Sequence, residues 1–350
     1  MNIGICDNPD KTALMFYENN YEVLRTPDFD ESTRTLKPAH KIKYLGNSKK
    51  KICRFCGKSE PEVKFKKVAH AFPESIGNKV LATHYECDNC NLFFGKTIEN
   101  DYSKFFELHH SIMMVSGKGG KRKCKFKIPC DKRTEKCGEH CFQIDFKGIY
   151  PYILVCYNVP QDILQVGEDR LRISAPIGTF CPIAVFKTFV KMAITVMPVE
   201  EVNLFSDAIS WILNPKHENF YKSKKLLIRY QMIPGFNVTK FPHFFLYRRR
   251  FNVLTGPYML FNLTYGCFSF LIEVPRNGNI DDRLDDNSFE RIPFPPIPFY
   301  ISQEGIWDMS AKELSKGEKF SIFLNAGGFM KIDKSCFEMI NGKPVFKDNF

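Results

Sequence analysis

No apolar stretch of this 350-residue chain is long enough to cross a bilayer unaided. The longest, "PIAVFKTFVKMAITVM", is broken by Lys187 and Lys191, whereas a spanning helix needs about 20 mainly apolar residues. The start, "MNIGICDNPD", lacks the basic-then-apolar order of a secretory leader. No segment repeats at a fixed period, which sets aside solenoid architectures. These absences predict a cytoplasmic protein with no membrane partner.

Cysteine, by contrast, is plentiful. Thirteen is an odd count, and four of these cysteines fall in two C-x-x-C pairs. In a reducing compartment that pattern favours metal binding over disulfides. The formal charge is +11 and it is unevenly placed. Residues 41–147 hold about 23 Lys and Arg against about 12 Asp and Glu, so the remainder is nearly neutral. A local basic excess of this size predicts a polyanionic partner, most simply nucleic acid. A solvated lysine-rich surface is the alternative.

The length suits two domains, each with its own core. Residues 1–45 carry turn-formers, as in "RTPDFDESTRTLKP", and read as a loose arm with one short strand. Residues 46–110 contain the cysteine pairs. Residues 111–141 form a basic, cysteine-rich insertion that begins with the hinge-like "SGKGGKRKCKFK". From 142 to 350 aromatic and β-branched runs predict strands: "GIYPYILVCYNV", "KKLLIRYQMI", "FPHFFLYRRRF" and "YMLFNLTYGCFSFLIEV". Between them a helical hairpin is expected, its first helix starting near Cys181 with Pro182 in the first turn. The second is "VEEVNLFSDAISWIL". "FLYRRRF" reads either as a nucleic-acid contact or as a charged edge strand. "RIPFPPIPF" (291–299) reads as a connection within the domain. Residues 142–350 carry no recognisable catalytic motif and are expected to fold on their own. Their expected roles are target choice, ligand sensing, self-association or docking of a protein partner.

Cys53 and Cys56 precede Gly57, and Cys87 and Cys90 follow after a long gap. Glycine lets the backbone turn tightly enough for two thiolates to face one ion. Four thiolates make a closed tetrahedral site, the structural type of zinc centre. Between the pairs, "VKFKKVAHAF" reads as a strand ending at His70, Pro73 and "SIGN" as a loop, and "VLATHYE" as a return strand. "DNCNLFFGKTIENDYSKFFELHH" has helical character from Asp88 or Asn89 onward. A zinc-clamped ββα unit results.

In this order, "CRFCGK", "AHAFPESIGN", "CDNCN" and "NLFFGK" resemble the HNH endonuclease family, in its ββα-metal branch with a four-cysteine zinc site. The resemblance covers about residues 50–107. It implies a zinc-stapled nuclease domain, which with the strand-rich α+β domain and helical hairpin read from the residues that follow makes an α+β chain. It also implies divalent-metal-dependent hydrolysis of DNA phosphodiesters. His70 falls at the family's general base, Asn91 at its metal-binding position, and Asn78 at the Asn that supports the histidine loop. The implied cofactors are structural Zn2+ and catalytic Mg2+ or Mn2+. Two departures stand out. Ala69 occupies a position where the family often has a metal ligand, and Asn91 replaces a histidine. The metal then recruits His84 or Glu99, or is held by phosphate and water.

Alternatives remain on the residues themselves. His70 could be an idle histidine beside the zinc, and Asn91 a helix cap. His109 and His110 are expected to complement the dipole at a helix end. Cys124, Cys130, Cys137 and Cys141 form a candidate second zinc cluster at non-standard spacing. Bacterial chains built this way act as restriction or anti-phage effectors, which the resemblance extends to this one. The competing functions are an RNA-directed nuclease and a non-catalytic, zinc-dependent nucleic-acid-binding module.

Overall fold

A computed structural model describes residues 11–26, 29–30, 35–36, 42–117, 120–121, 124–126, 142–147, 150–155, 164–166, 170–221, 224–233, 239–254, 256–278, 286–296, 303–325, 337–340 and 343–346. The chain begins with α1 (Lys11–Asn20) and β1 (Tyr21–Arg25). The small unit around the four cysteines contains β2 (Lys43–Leu45), β3 (Ala69–His70), β4 (Leu81–Thr83), α2 (Asp88–Lys96), α3 (Ile98–Phe105) and α4 (Glu107–Ile112). The larger unit contains β5 (Arg170–Pro176), α5 (Pro182–Val196), α6 (Ser206–Leu213), β6 (Leu227–Met232) and β7 (Thr239–Arg249). It continues with β8 (Met259–Gly266), β9 (Phe268–Glu273), α7 (Asp286–Arg291), β10 (Gln303–Asp308) and β11 (Lys319–Asn325). The mixed α+β class and the strand-rich larger unit agree with the sequence reading.

Six antiparallel strands form the central sheet in the order β1-β7-β8-β9-β6-β10. Every residue of β8 is buried, and five of the six in β9. Both faces are therefore covered, which is why these strands read as near-continuous apolar runs rather than as an alternation. On one face Phe261, Tyr265, Phe268 and Phe270 join the main core together with Tyr102, Phe106 and Phe189. On the other, Leu260, Leu271 and Tyr247 pack with Tyr17, Phe289 and Phe294 in a second cluster.

The second face corrects two expectations. Residues 11–25 are not a loose arm: α1 lays Tyr17 against Tyr247 at 4.8 Å between ring centroids, and β1 pairs with β7. β7 is consequently interior to the sheet, not an edge. Its arginines serve the fold: Arg248 pairs with Glu22 and Glu201, and Arg250 Nε donates to the Glu18 carbonyl at 2.9 Å. The described part of the proline-rich stretch, residues 291–296, packs within the domain, with Ile292 and Phe294 buried and Tyr17 donating to the Pro293 carbonyl at 2.8 Å.

α5 starts where Pro182 predicts, with Cys181 at its N-cap. All fifteen of its residues are buried. The second helix of the hairpin is shorter than expected, a 3-10 turn at Val202–Phe205 leading into α6. Among the described residues no helix is long and apolar enough to cross a membrane.

The main core does not stop at a domain boundary. Phe55, Phe72, Phe94, Phe105 and Phe106 belong to the same buried cluster as Phe180, Phe189, Phe270 and Phe320. Phe106 lies 5.3 Å from Phe270, and Phe105 lies 5.1 Å from Phe180, between ring centroids. This shared core counters the expectation that residues 142–350 fold alone.

Candidate active site and metal centre

Cys53 and Cys56 sit on the first knuckle, where Gly57 adopts φ 72° and donates its N–H to the Cys53 carbonyl at 2.8 Å. A residue with a Cβ would be strained at that φ although nothing crowds the position. Cys87 is the N-cap of α2, and Cys90 lies in its first turn. The sulfur atoms of the four cysteines all lie within 4.8 Å of one another, and three of the four residues are buried. Cys90 donating to Cys53 pulls the Cys53 thiol down to about 5, against burial. Burial pushes Cys87 up to about 11, and Cys90 rises because it serves that same thiolate. Four converging sulfurs call for a cation, and their number and type suit zinc.

The second knuckle is also tied to the segment that leads into β3. Asp88 accepts from the Lys67 N–H at 2.9 Å, and its own N–H donates to the Lys64 carbonyl at 2.8 Å. Between the knuckles, β3 and β4 pair antiparallel with His70 opposite Ala82. β2 adds a parallel third strand, Lys43 opposite Leu81. β3 is only two residues long, shorter than "VKFKKVAHAF" suggested.

The loop that carries His70 is closed by Asn78, which is 1% exposed. Its Nδ2 donates to the carbonyls of Phe72 at 3.0 Å and Leu81 at 2.9 Å, and its Oδ1 accepts from the Leu81 N–H at 3.0 Å. The 3-10 turn Glu74–Ile76 ends on Gly77 at φ 86°. That turn brings Glu74 Oε1 to 3.3 Å from His70 Nε2. Both side chains remain partly open to solvent. Glu74 went unremarked in the sequence; its one signal there is a position four residues after His70.

Asn91 is half-buried in α2, and its side chain makes no hydrogen bond among the described residues. Cys87, not Asn91, is the N-cap, so the capping alternative does not describe its geometry. His84 stacks on Tyr44 with centroids 4.6 Å apart and 9° between planes. Burial and then Lys51 hold its pKa below the usual histidine value. Glu99 directs Oε1 at Lys191 Nζ, 3.1 Å away. The Cys124, Cys130, Cys137 and Cys141 cluster lies outside the described residues except for the Cys124 backbone in a strand, Cys124–Phe126. Among the described residues, Cys53, Cys56, Cys87 and Cys90 are the one group of three or more His, Cys, Asp or Glu donors gathered about a point.

His109 and His110 do not complement a helix dipole. Both are fully buried. His109 Nε2 accepts from the Cys267 N–H at 3.3 Å, and burial lowers its pKa to about 3. His110 Nε2 lies 3.2 Å from the Tyr265 hydroxyl. Both are core histidines: His109 satisfies the β8–β9 turn, and His110 packs against the end of β8.

Two cations anchor this unit to α5. Arg54, between the first two cysteines, donates Nη1 to the carbonyls of Ile194 at 2.5 Å and Met197 at 2.8 Å. Both carbonyls lie at the C-terminal end of α5, where the helix dipole favours a cation. Its guanidinium lies over Tyr85 at 3.8 Å, and burial lowers its pKa to about 10. Lys191, inside α5, contacts Glu86 at 3.0 Å and Glu99 at 3.1 Å. Burial pushes Lys191 down, but the two carboxylates outweigh it and the ammonium stays charged. Burial raises Glu86 to about 7 with Lys191 opposing.

Residues 53–107 match the family model described as HNH endonuclease. Comparison with curated proteins and with solved structures yields no match.

Proposed function

We propose that this chain is a cytoplasmic, divalent-metal-dependent HNH endonuclease that hydrolyses DNA phosphodiester bonds at His70. The observation that carries the reading is the bracing of His70: Asn78 closes its loop and Glu74 faces its Nε2 at 3.3 Å. An idle histidine needs neither. In the proposed reaction the imidazole of His70 takes a proton from the attacking water as the new P–O bond forms. The carboxylate of Glu74 stabilises the imidazolium so formed and fixes the ring plane. The bond to the 3′-oxygen breaks, and the leaving oxygen is protonated from solvent. Asn78 keeps the loop rigid and touches no substrate, so it is a positioning residue. Asn91 would hold Mg2+ or Mn2+, which when bound neutralises the scissile phosphate and the leaving oxygen. His84, stacked on Tyr44 beside Lys51, and Glu99, committed to Lys191, are weaker choices for a further ligand.

A role in restriction or anti-phage defence follows from the same resemblance. The rival reading, a zinc-dependent binding module without catalysis, draws on Ala69, which is buried and offers no ligand. Supercoiled plasmid and a single-stranded RNA of matched length, each with Mg2+ or Mn2+, test all readings at once. Cleavage of plasmid that is lost in His70→Ala supports the proposal. Cleavage of RNA alone supports the RNA-directed alternative. Binding without cleavage in either metal supports the module.

A further inference from the structure

The three strands around His70 sort their side chains onto two faces. Leu45, Thr83 and Ala69 lie opposite one another across β2, β4 and β3, and all three are buried. The neighbouring row is Tyr44, Ala82 and His70. Successive residues of a strand point to opposite faces, so Tyr44 shares the face that carries His70. Ala82, between them, is fully buried, while Tyr44 is 40% exposed. Two strand spacings of about 4.8 Å each put the Tyr44 backbone about 10 Å from that of His70.

His84, just past β4, covers one face of the Tyr44 ring, with centroids 4.6 Å apart and 9° between planes. The exposed surface of Tyr44 is therefore its other face and its edge. Burial and then Lys51 hold the His84 pKa below the usual histidine value, so at neutral pH an uncharged imidazole backs the phenol.

The charge around this pair has one sign. From Ile42 to Ser59 the chain carries Lys43, Lys49, Lys50, Lys51, Arg54 and Lys58 and no carboxylate. Arg54 is spent on carbonyls of α5, whereas Lys43, Lys49, Lys50 and Lys58 are exposed. Glu60 and Glu62 come only after the first knuckle. Glu74 faces His70, Glu86 is buried against Lys191, and Asp88 accepts from the Lys67 N–H. An open aromatic ring among lysines fits a partner with both π-faces and phosphates, which is a nucleic acid strand. Inside a continuous duplex the faces of each base are covered by its neighbours. Ring-on-base contact therefore selects an unpaired nucleotide.

We propose that Tyr44, backed by His84, is a platform on which one unpaired base of the substrate strand stacks. The inference rests on the reading of His70 as the cleaving centre and adds a substrate class to it. That class is strands with unpaired bases near the cut, such as single strands, gaps and flaps. At about 3.4 Å per nucleotide along one strand, the platform lies about three nucleotides from the phosphate at His70.

Binding of labelled oligothymidylate, oligouridylate and a duplex of equal length, without added Mg2+ or Mn2+, tests this on intact strands. Tyr44→Ala should weaken binding of a single strand by about five- to hundredfold, the worth of one base–aromatic stack. It should leave duplex binding and the melting temperature unchanged. Tyr44→Phe, which keeps the ring, should bind as wild type does. Lys51→Ala, a phosphate contact, should weaken single strand and duplex alike. One measurement needs no variant: 2-aminopurine moved along the single strand should be quenched by wild-type protein, and in the duplex it should not respond. All of these read binding, so they stand whether or not any strand is cut, and a failure of cleavage alone falls on His70 instead. Unchanged binding of both single strands by Tyr44→Ala, an equal loss for duplex, or a Tyr44→Phe as weak as Tyr44→Ala would each overturn the proposal.

Discussion

Lys191 in α5 meets Glu86, the residue before Cys87 of the four-cysteine cluster, at 3.0 Å with both side chains out of solvent. Glu99 takes the same ammonium at 3.1 Å. A helix of the larger unit is thereby fastened to the zinc unit by an ion cluster. Removing one partner of such a cluster leaves buried charge uncompensated, at about 3–5 kcal/mol. Lys191→Met should lower stability on that scale in denaturant melts. Adding Glu86→Gln and Glu99→Gln should recover part of the loss, since both stranded carboxylates are then neutral. Additive losses in the triple variant would show that the cluster does not act as a unit.

A second expectation concerns zinc. Purified protein should carry zinc at the four cysteines, and Cys87→Ser should release it and loosen residues 53–107, because structural zinc supplies folding energy directly. Elemental analysis and limited proteolysis check this together. Zinc-free protein with an intact, protease-resistant segment would rule out the structural metal.

His70→Ala should reduce cleavage by about 10²–10⁴-fold, the usual worth of a general base, with zinc content and DNA affinity unchanged. Glu74→Gln should lower kcat by less than that and leave KM alone, the mark of a group acting on the base rather than on substrate. Asn78→Ala strands buried backbone groups at about 1–3 kcal/mol each. It should lower both kcat and local protease resistance. Asn91→Ala should shift the dependence on Mg2+ concentration; an unchanged curve would remove Asn91 from the metal site.

Much of the zinc unit could be read in advance because its signals are local. Two C-x-x-C pairs, a Pro-led loop and an Asn eight residues after His70 need no knowledge of the rest of the chain. The long strands were legible for the same reason, since β8 and β9 are apolar throughout. What could not be read came from distant partners. Lys187 and Lys191 look like interruptions of an apolar run, yet both are buried. Lys191 is held by carboxylates near the zinc site, and Lys187 donates to the Asn214 carbonyl at 2.7 Å. The arginines of β7 look like a surface charge cluster until α1 and β1 are seen to fold back onto them. His109 and His110 look like end-of-helix cations until the β8–β9 turn closes over them.

Two desolvated imidazoles, His109 in α4 and His243 in β7, set a pH dependence. Burial holds His109 near 3 and His243 near 4, both below the ordinary unfolded value of about 6.5. A depressed histidine binds fewer protons folded than unfolded, so stability rises with pH across that window and is lost as pH falls below about 6.5. Each such group adds at most about 1.4 kcal/mol per pH unit to the slope. Urea melts between pH 7.5 and 5 should show stability falling. In His109→Gln, which keeps an acceptor for the Cys267 N–H, the fall should be shallower. Parallel curves for the two proteins would mean that His109 titrates alike folded and unfolded.

The last prediction concerns the boundary between the two units. A strand-rich C-terminal region of near-neutral charge invites the view that it is a separable module. The packing argues otherwise. Tyr102, Phe105 and Phe106, all from α3 and the turn after it, lie against Phe189, Phe180, Phe270 and Phe320. Cutting the chain at 142 would expose these rings on one face of the sheet, and each large side chain left in water forgoes about 1.5–3 kcal/mol. Natural domains hold only about 5–15 kcal/mol in total. The same cut removes α1 and β1, which cover the opposite face through Tyr17 and Tyr21. It also leaves Lys191 buried without Glu86 and Glu99. A fragment of residues 142–350 should accordingly lack a cooperative thermal transition and bind a hydrophobic dye. Co-expression with residues 1–141 as a second chain should restore the transition, because the missing core surface is supplied in trans. A fragment that melts cooperatively alone, at the temperature of the full chain, would show that the shared core contributes nothing to its stability.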